Sequence, residues 1–592
     1  MEEIRNRAQI PDKYKWDMTA LYETNEAWEA ECKAVNAELQ DFAALAGTLG
    51  DEAALLNALR RMFDLSRRME RLFTYASCRR DEDNANPTYQ RLSDMAMHTY
   101  QELMQAAAFV EPELLSLDES YIKAVMDKPA FKDYRVYLKG VMHMRPHTLS
   151  RELETLIAST SEMKGAPDAI YSMMTDADMT FPTIKDDNGS DIEITHGNFI
   201  PLLESANRDV RKAAWDGLML TLAKWGNTIA TTYSSSVKGD IFSARAHKYP
   251  NTLEAALYSN EIPRSVCDNL IESVHAHLPA MGRYIALRGK LMGLETVRPY
   301  DMYVPIVGDV KMGLPYEEAY AEVVKSLEVM GEEYTTQLRA AIDQRWIDVY
   351  ENRGKTSGAY STGAYGVHPY VLLNYHETLD NKMTIAHEMG HAMHTWYSSG
   401  NQPYPTSDYS LFVAEVASTC NEMLVVRDML KTVTDKRERA YLLNSLLEQF
   451  RTTLFRQTQF AEFEMKAHEQ AESGEPLNKE NLCALYENLI RQYYPGMEVG
   501  DTVRYEWMRI PHFYRAYYVY QYATGFSAAV ALSSQILKKG PEDYIKFLKL
   551  GSSVPPIEAL KVAGVDMSTP EPVNEALDFF EEVLSEFEEL MK

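Results

Sequence analysis

The sequence predicts a mainly α-helical protein built from at least two packed units. Apolar residues recur at helical spacing along most of the chain, as in residues 51–79, where they lie beside several arginines. A chain of 592 residues is too long for one hydrophobic core, because single cores stop growing at about 250–300 residues. Only two segments interrupt the helical pattern with strand-like sequence. We therefore expect a helical fold that contains only small β-sheets.

The first interruption, residues 179–195, is typical of a β-hairpin. Two short runs rich in β-branched residues flank the sequence Asp186-Asp-Asn-Gly, and Asn-Gly is a strong signal for a tight hairpin turn. The hairpin marks a junction in the chain. We therefore predict an N-terminal helical domain over residues 1–200, with the hairpin near its end, and a second domain over residues 201–592.

The second interruption, residues 354–375, is a tyrosine-rich loop with four glycines. It leads into a short strand candidate at residues 370–375. Loops on a rigid scaffold often carry binding residues. Residues of this segment are therefore candidates for contact with a substrate.

The composition argues against several classes of partner. Lys and Arg number 60 against 87 Asp and Glu, and the formal charge of −27 repels phosphate backbones, which argues against nucleic acid. The five cysteines are widely spaced and lack CxxC pairs, so we expect reduced thiols. No secretory signal is evident, and no segment approaches the run of about 18 apolar residues that spans a bilayer. We expect a cytoplasmic protein without a membrane partner.

The strongest chemical signal is an HExxH motif that begins at His387 and ends at His391. The motif lies in a segment with helical periodicity, preceded by the possible caps Thr378 and Asp380 and ending near Gly400. Histidines at positions i and i+4 of a helix share one face, so both imidazoles can reach one zinc ion. Glu388 lies next to that face, where its carboxylate can accept a proton from an attacking water.

A catalytic zinc ion needs three protein ligands and an open position, so a third ligand must lie elsewhere. The compact three-histidine site of the metzincins would need glycine at position 394 and histidine at position 397. This chain has His394 and Tyr397 instead, which excludes that class. We expect His394 to be a hydrogen-bonded helix histidine.

The third ligand is predicted on a second helical segment downstream. Within an apolar stretch, Glu415, Ser418, Thr419 and Glu422 form one polar stripe. A polar stripe that faces a core needs a partner, and a metal centre provides one. We predict Glu415 as the third ligand of one Zn²⁺ per chain, with Ser418 and Glu422 orienting an imidazole or the Glu415 carboxylate.

Residues 387–391 and 412–418 together resemble the thimet oligopeptidase family of zinc peptidases, most closely its oligoendopeptidase F branch. The likeness extends to residues 300–305, to the glycine-rich loop with the strand after it, and to residues 510–525. It covers nearly the whole chain. The resemblance implies two helical lobes around a deep substrate channel, with a small β-sheet next to the HExxH helix.

The resemblance also implies the roles of individual residues. In the family, two histidines and a downstream glutamate hold the zinc ion and the glutamate of HExxH is the base, roles that carry over to His387, His391, Glu415 and Glu388. A deep channel would admit flexible oligopeptides and exclude folded proteins. The implied task is turnover of short peptides in the cytoplasm.

Substrate contacts are predicted in the glycine-rich segment, because it directly precedes the motif. We predict that Gly363, Tyr370 and Asn374 contact substrate. The strand candidate could hold an extended peptide by main-chain pairing while the loop closes over it.

A cluster of aromatic residues near the C-terminus is predicted to complete the site. Amide hydrolysis passes through a tetrahedral oxyanion that hydrogen-bond donors must help to stabilise. The resemblance assigns this role to a histidine and tyrosine pair, and the matching positions are His512, Tyr517 and Tyr520. Tyr514 is a fourth position, predicted to contact substrate.

The predicted function is zinc-dependent hydrolysis of internal peptide bonds in short oligopeptides, with Glu388 as general base. One alternative is a helical metallocarboxypeptidase, which also uses HExxH and a distant glutamate. The other is a catalytically silent protein that binds peptides or stores zinc. The intact Glu388 argues against the silent protein, because binding alone needs no general base.

Overall fold

The computed structural model describes residues 5–308, 310 and 312–592. Across these ranges helices dominate, and the strands are only two or three residues long. The prediction of a mainly α-helical chain with small β-sheets is confirmed. The channel between two lobes stays a prediction.

Helices are present along both halves of the chain. The first half contains α1 (Asn25–Ala43), α2 (Glu52–Glu82), α3 (Pro87–Ala107), α4 (Val110–Ser116), α5 (Glu119–Met126), α6 (Arg135–Met144), α7 (Arg151–Ala158), α8 (Ser161–Ser172), α9 (His196–Leu203), α10 (Arg208–Ala246), α11 (Thr252–Tyr258), α12 (Ser265–Ala276) and α13 (Leu278–Met292). The second half contains α14 (Tyr316–Ser326), α15 (Glu332–Asp343), α16 (Leu379–Asn401), α17 (Leu411–Thr432), α18 (Lys436–Gln449), α19 (Arg456–Ser473), α20 (Lys479–Tyr493), α21 (Tyr520–Lys539), α22 (Glu542–Leu548), α23 (Pro556–Val562) and α24 (Glu571–Leu590). Irregular helical turns include the π-helical turn Phe450–Phe455 and the 3₁₀ segments Val503–Arg509 and Pro511–Tyr514.

The chain forms two compact units, each assembled from three separated segments. Unit 1 contains the described parts of residues 1–146, 311–432 and 528–566. Unit 2 contains the described parts of residues 147–310, 433–527 and 567–592. The sequence-based division into residues 1–200 and 201–592 concerns consecutive segments and stays a prediction.

Unit 1 is built on a helical core that extends to a small sheet. Helix α2 begins after Asp51, whose carboxylate accepts a hydrogen bond from the Ala54 N–H at 2.9 Å, so the helix predicted at residues 51–79 is confirmed. The buried side chains of α1, α2 and α3, such as Trp28, form one apolar cluster with Tyr370 and Leu372. This contact anchors the sheet to the N-terminal helices.

The sheet of unit 1 has three strands in the order β3 (Ile347–Asp348), β5 (Tyr370–Leu372) and β4 (Tyr360–Thr362). Strand β5 is parallel to β3 and antiparallel to β4. The strand predicted at residues 370–375 is thus present, but both of its edges are already paired over Tyr370–Leu372. The hypothesis that a peptide pairs with β5 there is wrong, because the central strand of a sheet has no free edge.

The sheet of unit 2 is the predicted hairpin. Strands β1 (Thr183–Lys185) and β2 (Asp191–Glu193) are antiparallel, with Ile184 opposite Ile192. The Asp186 carboxylate accepts hydrogen bonds from the backbone N–H groups of Asn188 and Ser190, so the turn residues hold the turn themselves.

Two further predictions concern the state of the cysteines and the presence of membrane-spanning helices. All five cysteines are buried and none forms a disulfide bond, as expected for reduced thiols. In the ranges given above, no helix combines the length and apolar character needed to cross a membrane.

Candidate active site

The HExxH motif lies on α16, as predicted from its flanking residues. The Thr378 side chain accepts a hydrogen bond from the Asn381 N–H at 3.1 Å and caps the helix. The helix ends at Asn401, next to the predicted end. His387 and His391 are one turn apart, and their ring centroids are 4.9 Å apart. Both imidazoles therefore project from the same face of α16.

Helix α17 packs unusually closely against the motif because residue 390 is glycine. A Cβ atom on Gly390 would lie 2.6 Å from the Ala417 carbonyl oxygen and 2.6 Å from the Ser418 Cα. The Asn421 side chain donates to the Ala386 carbonyl at 3.2 Å, which links the two helices one turn further on. This close packing of the two helices places the polar stripe of α17 next to His387 and His391.

Gly390→Ala is expected to push α16 and α17 apart and to disrupt the site. The added methyl group would overlap backbone atoms that cannot rotate away, so the free energy of unfolding should fall by about 1–3 kcal/mol. Metal content should fall with it. Gly400→Ala is the matched control, since a Cβ there meets nothing within 4 Å. Denaturant unfolding and metal analysis of both variants check the prediction, and equal behaviour of the two would contradict it.

His387, His391 and Glu415 meet where the two helices cross. Among the described residues their ligand atoms lie within 4.8 Å of one another. Glu415 Oε2 is 3.4 Å from His387 Nε2 and 3.7 Å from His391 Nε2. Ligands about 2.0–2.2 Å from a tetrahedral zinc ion are themselves roughly 3.3–3.6 Å apart. Two imidazoles and a carboxylate at these distances fit a divalent cation.

The side chains behind the ligand group have the contacts that the sequence predicted. Glu422 Oε1 is 2.5 Å from His387 Nδ1, and Ser418 Oγ donates to Glu415 Oε2 at 3.1 Å. A carboxylate on Nδ1 fixes the imidazole so that Nε2 faces a metal. The stripe on α17 therefore supplies both a ligand and the groups that orient ligands.

The charges of the ligand group also fit a cation. Burial lowers the pKa of His387, but hydrogen bonds to Glu415 and Glu422 outweigh this effect and raise the pKa to about 10. The hydrogen bond from His387 lowers the pKa of Glu415 to about 2. Burial and the charge on His387 lower the pKa of His391 to about 4. The positive charge of protonated His387 thus offsets part of the negative charge of Glu415 and Glu422. A bound metal cation can supply this positive charge in place of the proton.

Glu388 is placed and charged differently from the ligands. Its side chain is buried, and its Oε2 has no hydrogen-bond partner among the described residues. Burial raises the pKa of Glu388 to about 7, and the carboxylates of Glu415 and Glu422 add to the rise. An unpartnered carboxylate with a pKa near neutrality is suited to accept a proton and release it again.

His394 differs from the expectation. It is buried, stacks on Tyr409 at a centroid distance of 3.6 Å, and its Nδ1 has no hydrogen-bond partner in the described part of the chain. Burial lowers the pKa of His394 to about 3. Aromatic stacking therefore holds this neutral histidine, and the expected hydrogen bond at Nδ1 is not formed.

The predicted substrate residues of unit 1 lie in or beside the small sheet. The Gly363 carbonyl accepts from Thr74 Oγ1 at 3.0 Å. The Tyr370 ring is buried, and its hydroxyl donates to the Asp17 carbonyl at 3.1 Å. The Asn374 Nδ2 donates to two loop carbonyls, while its Oδ1 is buried without a partner among the described residues. These contacts leave the three assignments as predictions.

The four predicted residues of the aromatic cluster all belong to unit 2. His512 lies on the 3₁₀ segment Pro511–Tyr514 and is exposed. Its ring centroid is 6.2 Å from that of Tyr518 and 6.4 Å from that of Tyr522. The hydroxyl oxygens of these two tyrosines are 3.3 Å apart. Neither of these two tyrosines was assigned a role from the sequence.

The predicted tyrosines are engaged in the interior of unit 2. The Tyr517 hydroxyl is 2.7 Å from Thr252 Oγ1, and the Tyr514 hydroxyl is 2.7 Å from Thr232 Oγ1. The Tyr520 side chain is buried. Their roles as donors or substrate contacts stay predictions, and Tyr518 and Tyr522 are further candidates.

Two sequence profiles match the chain. One, described as Peptidase family M3, matches residues 201–579, and another, described as Oligopeptidase F, matches residues 113–181. The chain belongs to peptidase family M3. The resemblance inferred from the motifs is therefore confirmed. Membership of this family implies a metal cofactor, for which the two histidines and Glu415 form a suitable group.

Relatives of this M3 peptidase match it over nearly their whole length. Oligopeptidase PepF of Bacillus subtilis is 46% identical and covers 100% of this chain and 90% of its own. Group B oligopeptidase PepB of Streptococcus agalactiae is 40% identical, with 99% and 98% covered. The crystal structure of oligoendopeptidase-F from Enterococcus faecium has a TM-score of 0.75 at 35% identity, with 96% of this chain and 99% of that chain covered. A crystal structure from Chlamydophila abortus has a TM-score of 0.95 at 34% identity, with 99% and 100% covered.

Proposed function

We propose that this M3 peptidase is a zinc endopeptidase that hydrolyses internal peptide bonds of short oligopeptides. The observation that carries the proposal is the ligand group His387, His391 and Glu415 beside the unpartnered carboxylate of Glu388. The names of the relatives, oligopeptidase and oligoendopeptidase, support the substrate class and the internal position of the cut.

The proposed mechanism assigns one task to each side chain. His387, His391 and Glu415 would hold the cation, which supplies Lewis acidity when it is bound. Glu388 accepts the proton of the attacking water and later delivers it to the leaving amine. Glu422 keeps the His387 imidazole oriented, because its carboxylate accepts a hydrogen bond from the Nδ1–H group. No covalent enzyme intermediate is needed.

Glu422→Gln is expected to weaken metal binding by about 10–100-fold while the fold persists. The amide would keep the shape of the side chain but lose the charge that orients and polarises His387. Metal affinity can be measured by competition with a chelator of known affinity. Asp428→Asn is the matched control on the same helix, where the carboxylate accepts from Ser326. Equal metal affinities in the two variants would contradict the assigned role.

The oxyanion donors are proposed in unit 2, where His512 is exposed beside Tyr518 and Tyr522. His512→Asn is expected to lower kcat by about 10²–10³-fold with little change in KM, because these donors act mainly in the transition state. Either Tyr518→Phe or Tyr522→Phe should have a similar effect.

Tyr517→Phe and Tyr520→Phe are the comparison for that prediction. Their hydroxyls belong to buried side chains, and the Tyr517 hydroxyl already pairs with Thr252. We expect kcat within about threefold of wild type for both. Steady-state kinetics on one peptide settle the choice. A large loss of kcat in Tyr517→Phe or Tyr520→Phe, with none in the other two tyrosine variants, would favour the assignment made from the sequence.

Substrate is proposed to bind along the free edge of β4 rather than along β5. Strand β4 pairs on one side only, and it packs against α16. An extended peptide could add to such an edge through main-chain hydrogen bonds. Gly363 directly follows β4, so its predicted contact with substrate is retained in this arrangement.

Cleavage of a pair of peptides with identical sequence separates the endopeptidase from the carboxypeptidase. One peptide is blocked at both ends and the other has a free C-terminus. The proposal predicts internal cleavage of both, identified from product masses. Removal of single C-terminal residues from the free peptide, with the blocked peptide intact, would support the carboxypeptidase. If neither is cut, the silent binding protein is favoured. A cytoplasmic location and the lack of a nucleic-acid partner stay predictions.

A further inference from the structure

Unit 2 contains a small cavity that the peptidase mechanism does not use. Its volume is about 20 Å³, which is room for one water molecule or one monatomic ion and little more. The polar side chains that line it include Arg451, Arg456, Tyr303, Tyr494 and the carboxylate of Glu506, while most of the remaining wall is apolar. The cavity is therefore lined mainly by hydrogen-bond donors and hydrocarbon.

The two arginines reach the same cavity because of the π-helical turn Phe450–Phe455. In an α-helix, residues five apart point about 140° away from each other. A π turn carries about 4.4 residues, so residues five apart lie on nearly the same face. Arg451 and Arg456 span this turn. π turns are often found at functional sites, and here the turn concentrates two positive charges.

Tyr494 adds a hydrogen-bond donor that has no acceptor within the part of the chain that the structure describes. Its side chain is only 4% exposed, and its hydroxyl has no hydrogen-bond partner among the described residues. The charges of Arg456 and Arg451 act on this hydroxyl and oppose the rise that burial causes in its pKa. A buried hydroxyl without a partner is costly, so a bound acceptor in the cavity would stabilise it.

The charges around the cavity are not balanced. Arg451 pairs with Glu448, which also pairs with Arg288. Arg456 pairs with Glu506, which lines the cavity and also pairs with Arg509. These four arginines and two carboxylates leave two positive charges in excess, within a chain whose formal charge is −27. Like charges that are buried together repel strongly at low dielectric, so this excess attracts an anion.

A water molecule satisfies the cavity less well than an anion does. Water needs acceptors for its own protons, and the carboxylate that lines the cavity, Glu506, is already engaged. Its Oε1 accepts from Arg456 and Arg509, and its Oε2 accepts from Tyr486. A monatomic anion needs donors only, and the arginines and Tyr494 provide them.

We propose that this cavity binds one chloride ion, held by Arg451, Arg456 and the hydroxyl of Tyr494. The volume admits a monatomic anion, and we expect it to disfavour larger tetrahedral oxyanions such as phosphate. The ion offsets part of the positive excess and accepts the unpaired hydroxyl hydrogen bond. This site is independent of the metal ligands and of the proposed peptidase mechanism.

The direct test is a crystal of the wild-type protein grown in bromide, with data collected at the bromine absorption edge. The proposal predicts an anomalous difference peak in contact with Arg451, Arg456 and Tyr494. An ordered water without anomalous signal, or an empty cavity, would overturn it. Sulfate in place of bromide should leave the cavity without a bound oxyanion, and a sulfate in the cavity would contradict the proposed size limit.

Thermal unfolding provides the second test, with sodium chloride compared with sodium gluconate at constant ionic strength. Chloride should raise Tm by about 2 °C in a saturable manner, because it binds the folded chain. Tyr494→Phe should raise the half-saturating chloride concentration about tenfold or more. Tyr233→Phe removes another buried, unpartnered hydroxyl of unit 2 and is the matched control, for which the wild-type chloride dependence is expected. Equal Tm values for wild type in the two salts would overturn the proposal.

Discussion

Glu388→Gln is expected to lower kcat for peptide hydrolysis by about 10²–10⁴-fold while the protein retains its metal. The amide has nearly the shape of the carboxylate but cannot accept the proton of the attacking water. The Glu388 Oε2 has no hydrogen-bond partner in the described part of the chain, so the substitution breaks no interaction of that atom. The loss should therefore appear in kcat with little change in Tm.

Asp380→Asn is a suitable control for this variant. Asp380 lies in the first turn of the same helix and is exposed, so its loss should change kcat by less than about twofold. Kinetics and metal content are measured on both proteins. Full activity of Glu388→Gln at normal metal content would remove Glu388 from the mechanism.

Glu415→Gln is expected to show the opposite pattern, in which the metal is lost along with the activity. Replacing an outer partner of a metal site costs about 10–100-fold in affinity, and replacing a charged ligand should cost more than about 100-fold. The amide oxygen of the new side chain would still accept from Ser418, so the local hydrogen bonding of α17 is kept in part. Activity should return partially at high zinc concentration.

The metal contents of these two variants distinguish a metal ligand from a general base. Metal analysis after gel filtration should find near one equivalent in Glu388→Gln and far less in Glu415→Gln. Retention of one tightly bound metal ion per chain in Glu415→Gln would show that the third ligand is another residue. Glu422 would then be the first alternative, because it already contacts His387.

Local sequence signals were sufficient for the elements that carry the chemistry. The possible cap at Thr378 and the helical periodicity after it predicted α16, and the Asn-Gly pair predicted the hairpin. The position of β5 could not be predicted in the same way. Its neighbours begin at Ile347 and Tyr360, and a short apolar run carries no signal that distinguishes a central strand from an edge strand.

The ligand group and the orienting roles of Ser418 and Glu422 could be anticipated, but the close helix packing that brings them together could not. Glu422 lies 35 residues from His387, and the two meet only because Gly390 allows two backbones to approach closely. A glycine inside a helix is visible in the sequence. What it packs against depends on the tertiary structure.

The backbone of the aromatic cluster could not be predicted from helical spacing, because its first part is not helical. Tyr517 has a left-handed backbone, with φ of 57°, which a non-glycine residue adopts only when its surroundings enforce it. The Tyr517 N–H donates to the buried Glu464 carboxylate at 2.8 Å. The regular helix therefore begins only at Tyr520, so helical spacing counted from His512 does not describe the positions of the half-buried Tyr518 and Tyr522.

The most direct test of the account is a zinc titration of metal-stripped wild-type protein, followed by cleavage of a peptide blocked at both ends. Removal of the metal is expected to lower the cleavage rate to below about 1% of its initial value. The rate should then rise linearly with added Zn²⁺ and reach a plateau at one equivalent per chain. Internal cleavage that persists without metal, or a blocked peptide that stays intact at full zinc occupancy, would contradict a metal-dependent endopeptidase centred on His387, His391 and Glu415.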